Sequence, residues 1–256
     1  MRANPVKRAL GDGGVAVGTF VFEFATTGIA RLAAGAGAEF VVFDLEHTGW
    51  SLETLRTILA SVVPPLVPVV RVPATEYHFI ARALDVGAMG VMVPMVESAE
   101  QAQRIVAAAK YPPAGRRGAA FGDAHDDYGG GDILATMASA KAEGVLMAQI
   151  ETAAGVREAE AIAAVGGIDV LWVGHFDLTN SMGIPGRFDH PEFRRAVRDV
   201  AATARRHGKA AGFMCADVAG GRALLEQGYR ALAYGGDLWL YQQALREGVA
   251  GLKGTG

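Results

Sequence analysis

The sequence predicts an α/β fold closed as a single (β/α)8 barrel, and three observations carry that prediction. The chain has 256 residues, close to the roughly 250 of a lone barrel. Short apolar, β-branched runs recur at 15–23, 39–45, 67–72, 90–96, 145–150, 170–173, 210–214 and 231–234. Longer alanine-rich stretches of helical period separate most of them. Runs apolar on both faces suit parallel strands buried under helices, and eight of them in this length favour closure over an open sheet.

Helix boundaries agree with this alternation. Ser98 and Gln101 have the spacing of a capping box ahead of the helix at 102–110. His190-Pro191 opens a second helix, and Gly208 closes it. Only 111–132 breaks the rhythm, since Pro112-Pro113, Gly115 and Gly129-Gly130-Gly131 leave little regular structure, and it reads as an active-site loop. No linker or short-period repeat divides the chain, so one domain over 1–256 is expected.

Composition narrows the function. The chain is 51% hydrophobic and 20% charged with a formal net charge of −3, which fits a soluble globular protein with no nucleic-acid partner. No apolar stretch suits a membrane span, and the basic segment Arg2-Ala3-Asn4-Pro5-Val6-Lys7-Arg8 lacks the apolar run of a signal peptide. The lone Cys215 excludes an intrachain disulfide and a cysteine zinc cage, in keeping with a cytoplasmic protein.

Active sites of such barrels lie at the C-terminal ends of the strands, so the residues that follow each run matter most. Asp44, Glu46 and His47 follow the second, Arg71 ends the third, Gln149 and Glu151 end the fifth, and Gly174-His175-Phe176-Asp177 follow the sixth. Glu151 and Asp177 leave adjacent strands and could share a hard cation such as Mg²⁺ or Mn²⁺. Each could equally cap a helix or pair with an arginine, and spacing alone does not decide. His47 could be a general acid–base group oriented by Asp44, or a loop histidine bonded to a carbonyl. Arg71, fixed in an apolar strand, calls for a substrate oxyanion, an internal partner such as Asp44 or Glu46, or both.

Absences narrow the chemistry further. None of the five lysines, Lys7, Lys110, Lys141, Lys209 and Lys253, follows a strand, so Schiff-base catalysis has no candidate. There is no Walker loop, no strand-linked G-x-G-x-x-G and no G-x-S-x-G elbow. His78, His207, Met89, Met92 and Met95 read as packing residues, and Cys215 as a pocket-lining one.

Five motifs in order carry a family resemblance: Phe43-Asp44-Leu45-Glu46-His47, Val70-Arg71-Val72-Pro73, Gly90-Val91-Met92-Val93-Pro94, Gln149-Ile150-Glu151-Thr152 and Gly174-His175-Phe176-Asp177-Leu178. Over roughly 13–240 the chain resembles the HpcH/HpaI class II pyruvate aldolases, TIM barrels of the phosphoenolpyruvate/pyruvate type. The tracts Gly18-Thr19-Phe20-Val21-Phe22-Glu23-Phe24 and Gly118-Ala119-Ala120-Phe121-Gly122 look closest to the hydroxyketoacid aldolase branch, which also resembles macrophomate synthase.

The resemblance implies a lyase that reversibly joins pyruvate, or a related 2-oxoacid such as hydroxypyruvate, to an aldehyde. It implies Glu151 and Asp177 as ligands of a divalent metal, Mg²⁺ or Mn²⁺ first and Co²⁺ or Zn²⁺ as further candidates. Arg71 would steady the enolate oxygen, His47 held by Asp44 would transfer a proton at the aldol hydroxyl, and Gln149 would support metal and substrate. Gly174, His175, Phe176 and Asp177 would line the substrate site, His175 and Phe176 departing from the small residue or proline common there. Asp85 matches a position that can reach a neighbouring subunit's site. A homo-oligomer is implied, commonly a hexamer, with the helix at 237–252 packed on a neighbour. The loop around Phe121-Gly122-Asp123-Ala124-His125 lacks the arginine expected for an acceptor with a distal carboxylate, so a neutral or hydroxylated aldehyde is expected. Oxaloacetate decarboxylation and an inert binding barrel are the alternatives.

Overall fold

The computed structural model describes residues 2–254; Met1, Thr255 and Gly256 of the expected 1–256 domain lie outside the described residues. Eight parallel strands close in sequence order, β1 (Ala16–Val21), β2 (Phe40–Asp44), β3 (Val67–Arg71), β4 (Gly90–Val93), β5 (Val145–Ile150), β6 (Val170–Val173), β7 (Ala210–Cys215) and β8 (Ala231–Gly236), with β8 pairing back on β1. Each strand lies within or within one or two residues of one predicted run. The helices are α1 (Pro5–Gly11), α2 (Ile29–Gly35), α3 (Leu52–Leu59), α4 (Tyr77–Asp85), α5 (Ala99–Ala109), α6 (Ile133–Glu143), α7 (Ala153–Arg157), α8 (Ala159–Ala163), α9 (His175–Ser181), α10 (Pro191–Arg206), α11 (Val218–Glu226) and α12 (Asp237–Lys253). Among the described residues no helix is long and apolar enough to cross a membrane.

Because successive side chains alternate across a strand, the apolar runs divide into two cores. Phe40, Val42, Val67, Val69, Met92, Val145, Met147, Val170 and Trp172 fill the barrel interior, and Val6 and Leu10 of α1 join them from below. Val41, Phe43, Val70, Val91, Leu146, Ile150 and Leu171 face outward against the helices. Large residues sit opposite glycines: a Cβ at Gly212 would lie 2.9 Å from a Trp172 ring carbon, and one at Gly18 2.6 Å from the Phe40 ring. Substituting either glycine forces an interior ring to move, a strain typical of overpacked cores.

The predicted helix ends are present. Ser98 accepts a hydrogen bond from Gln101 N at 3.2 Å, while the Gln101 side chain accepts from Glu97 N, one residue earlier than the simple capping box places it. His190 caps α10, and Gly208 follows it at φ +64°.

Segment 111–132 departs from the expected active-site position. It connects α5 to α6 and therefore starts and ends at the barrel's N-terminal face, packing along α4: Gly118 N donates to the Tyr77 hydroxyl and Arg117 pairs with Asp85 at 2.6 Å. None of its residues lines the cavity at the strands' C-terminal ends.

The eighth barrel helix is also unusual. Of α12 only Asp237 is buried, while Tyr241, Leu245, Val249 and Leu252 form an exposed apolar stripe, Leu252 at 91%. On the barrel itself Val15 and Val17 stay exposed, as does Leu32 of α2.

Candidate active site

Strand register brings the first functional pair together, because Asp44 pairs with Arg71 across β2 and β3, both facing inward at the strands' C-terminal ends. Arg71, 7% exposed, donates from Nε to Asp44 Oδ1 at 2.6 Å and lies 3.2 Å from Glu46 Oε2 through Nη1. Its guanidinium sits 5.3 and 5.7 Å from the ring centres of Phe20 and Phe22. A cation this buried persists because two carboxylates and two ring faces replace its water.

Asp44 does not hold the His47 ring, as the sequence led us to expect. Its carboxylate takes the backbone N–H groups of Glu46 (3.1 Å) and His47 (2.9 Å) besides Arg71, so it shapes the turn and leaves the imidazole alone. The carboxylate nearest that half-exposed ring is Glu46, 3.7 Å from His47 Nε2. Glu46 is the site residue that sequence reasoning underweighted. Burial raises its carboxyl pKa to about 7, against the lowering influence of Arg71 and with Asp44 and Asp177 adding to the rise. Its Oε2 is buried without a hydrogen-bond donor in good geometry.

Across the barrel, Gln149 and Glu151 point inward from the end of β5. Glu151, 1% exposed, accepts from Met95 N at 2.6 Å and from the Gln149 amide. Met95 holds φ +53°, an uncommon conformation for a side-chain-bearing residue, in the turn that aims its N–H at the carboxylate. Burial raises the Glu151 pKa to about 7 despite those two hydrogen bonds, with Glu46 and Asp177 contributing. Gly174 leaves no room for a side chain, since a Cβ there would overlap Glu151 Oε2 and lie 3.0 Å from Gln149 Nε2.

Asp177, in the first turn of α9, lines the same cavity as Glu151. A divalent cation fits this donor set: a buried carboxylate lacking a countercharge, a second carboxylate facing the same space, and the buried Gln149 Oε1 without a partner. His175 is a wall residue. Its ring stacks on Phe213 at 5.0 Å and meets Phe176 and Phe188, and burial lowers its pKa to about 4, so it is neutral at physiological pH. Phe176 is exposed at the mouth.

The resulting cavity of about 680 Å³ is lined by His47, Arg71, Gln149, Glu151, Gly174, His175, Phe176 and Asp177, with aromatic walls from Phe20, Phe22, Trp172 and Trp239. Asp44 stands behind Arg71. Asp85 is not part of this cavity; it ends α4 and pairs with the buried Arg117. Cys215 also lies elsewhere, because odd positions of β7 face outward, and it lines a neighbouring apolar groove. Among the described residues no lysine lines the cavity; Lys7 and Lys110 instead donate to Gly144 O at the opposite end. A compact trio, Asp123, His125 and Asp126, lies in segment 111–132, where both imidazole nitrogens are already engaged by Asp123 and Tyr111.

Comparison with known proteins gives the same picture. The chain is 37% identical over 258 residues to the hydroxypyruvate/pyruvate aldolase of Cupriavidus necator, covering 98% of this chain and 93% of that one. It is 38% identical to the 4-hydroxy-2-oxovalerate aldolase of Novosphingobium aromaticivorans, covering 96% and 93%. An HpcH/HpaI aldolase structure from Desulfitobacterium hafniense DCB-2 superposes with a TM-score of 0.92 at 30% identity, covering 98% of this chain and 97% of that one. The family description matches residues 18–244, a span that holds β1 from Gly18 onward, β2 to β8 in full and all the cavity residues named above. By fold and by sequence, the chain belongs to the HpcH/HpaI aldolase/citrate lyase family.

Proposed function

We propose that this protein is a divalent-metal-dependent carbon–carbon lyase that reversibly adds pyruvate, or a related 2-oxoacid such as hydroxypyruvate, to an aldehyde, giving a 4-hydroxy-2-oxoacid. The observation that carries this reading is the meeting of Glu151, Asp177 and a buried, pre-oriented Arg71 on one cavity without a lysine. Glu151 and Asp177 would hold a divalent cation, Mg²⁺ or Mn²⁺ first and Co²⁺ or Zn²⁺ as further candidates, which would supply Lewis acidity towards the 2-oxoacid.

Arg71 is fixed by Asp44 and Glu46, so its guanidinium needs no reorganisation as negative charge gathers on the enolate oxygen. His47 handles the proton at the aldol hydroxyl, taking it for cleavage and returning it for addition. Glu46, with its pKa near 7 and 3.7 Å from that ring, is suited to share the proton. Gln149 orients Glu151, while Gly174, His175 and Phe176 shape the wall beside Asp177.

Among the described residues Arg71 is the only lysine or arginine lining the cavity, and it is already paired. A distal carboxylate on the acceptor would be desolvated without a countercharge, so neutral or hydroxylated aldehydes are the expected partners. We expect kcat/KM for glycolaldehyde or glyceraldehyde to exceed that for succinic semialdehyde about tenfold or more. The opposite ranking in a coupled aldol-cleavage assay would refute this acceptor assignment.

The assembly is proposed to be a homo-oligomer, a hexamer by family resemblance, working in the cytoplasm. The apolar stripe of α12, the uncovered Val15 and Val17, and a groove of about 940 Å³ bounded by α10 and α11 support docking of α12 on a second copy. In such an assembly Asp85, only partly shielded by Arg117, is the residue offered towards a neighbour's site. Sedimentation velocity at micromolar concentration is expected to show no monomer; a monomer alone would overturn the docking.

A further inference from the structure

We infer that Asp237 is a positioning residue that ties the acceptor-side wall of the cavity to the root of α12; the inference rests on the aldolase reading above. Asp237 is the first residue of α12 and is 8% exposed. Its Oδ1 accepts from the amides of Phe22 and Leu238, each at 2.9 Å. Its Oδ2 accepts from Glu23 at 3.0 Å and Phe24 at 2.7 Å. Three successive amides leaving β1, past the last strand partner, therefore close on one carboxylate. Such a concavity of N–H groups favours an anion, and charge-assisted bonds are roughly twice as strong as neutral ones. Among the described residues no lysine or arginine forms an ion pair with Asp237, so the amides carry its charge.

What this latch fixes is a cavity wall. Phe22, Glu23, Leu238 and Trp239 all line the cavity. The Phe22 ring stacks on Phe20 at 5.3 Å, meets Trp239 edge-on at 5.0 Å and lies 5.7 Å from the Arg71 guanidinium. Gly236, just before the latch, has no space for a side chain, since a Cβ there would lie 2.9 Å from both the Phe22 and Trp239 rings. In the closed strand order this wall belongs to β8 and β1, and β1 lies four strands from the β5 that carries Glu151. With the 2-oxoacid held at Glu151, Asp177 and Arg71, the β8–β1 wall borders the space left for the aldehyde.

The test separates the half-reaction that needs no acceptor from the one that does. Exchange of the pyruvate methyl protons with deuterated water, followed by NMR in the presence of Mn²⁺-free Mg²⁺ buffer, reports enolisation alone. Aldol addition to glycolaldehyde reports the acceptor site. Loss of all four charge-assisted bonds in Asp237→Ala is expected to raise the glycolaldehyde KM about tenfold, leaving proton exchange and the pyruvate KM within about twofold of wild type. Asp237→Asn keeps one acceptor oxygen for two of the four amides while its NH₂ faces the other two donors, so it gives the same split, and circular dichroism identifies which of the two variants is folded. An unchanged glycolaldehyde KM in either folded variant overturns the inference. An equal fall in exchange and addition also overturns it, since a merely structural role would produce that result. Absence of metal-dependent exchange in the wild-type protein identifies failure of the aldolase reading itself, and the positioning role falls with it.

Discussion

Glu151→Gln is expected to fold, to lose stabilisation by Mn²⁺, and to lose roughly a thousandfold in the aldol rate, the scale of several kcal/mol that a bound cation supplies. Its pH dependence distinguishes loss of a metal ligand from general damage. In the metal-free wild-type protein burial raises the Glu151 and Glu46 pKa values from 4.5 to about 7. A folded-state pKa above the unfolded one means the native protein binds more protons in that window. The contribution is complete below about 4.5 and is lost as pH rises to about 7 and beyond. Metal-free wild type should therefore melt at lower temperature at pH 8 than at pH 5.5 by this contribution, and Glu151→Gln should show a shallower fall. Added Mn²⁺ should stabilise wild type more at the higher pH, where the proton no longer competes with the cation. Thermal melts of chelator-treated proteins with and without Mn²⁺ measure each arm. Equal Mn²⁺ stabilisation of both proteins would remove Glu151 from the metal site.

Arg71→Lys is expected to keep the charge and lose about 10²–10³ in kcat, the magnitude seen when one donor to a developing oxyanion is removed. Lysine cannot reproduce the planar fork in which Nε meets Asp44 and Nη1 faces Glu46, and a compact ammonium stacks less well on Phe20 and Phe22. Because the enolate oxygen bears the charge, kcat and kcat/KM should fall together, with little change in the acceptor KM. Steady-state kinetics with varied pyruvate and glycolaldehyde check this. A variant that raised only the pyruvate KM would make Arg71 a ground-state anchor instead.

The barrel was legible because alternation within each run encodes two cores, and neighbouring runs place Asp44 beside Arg71 by register alone. The same parity would have turned Cys215 outward, given that Met214 faces in, and it was the proximity of Cys215 to the strand end that misled. The sequence does not place segment 111–132, because glycine and proline mark a loop without telling which barrel end it closes. A spacing of three residues suggests that Asp44 meets the His47 ring, yet a short turn brings the carboxylate to its own downstream amides first. Asp237 carried no local signal at all, since its partners at 22–24 are more than 200 residues away in sequence.

Methyl-proton exchange of pyruvate by chelator-treated protein, with Mg²⁺, Mn²⁺ or Co²⁺ restored and no aldehyde present, isolates metal-dependent enolisation from every later step. Exchange is expected to return with the metal, to be absent in Glu151→Gln, and to give way to aldol product once glycolaldehyde is added. Exchange that never depends on metal, or a protein that decarboxylates oxaloacetate yet forms no aldol product with any metal, would contradict metal-dependent aldol catalysis.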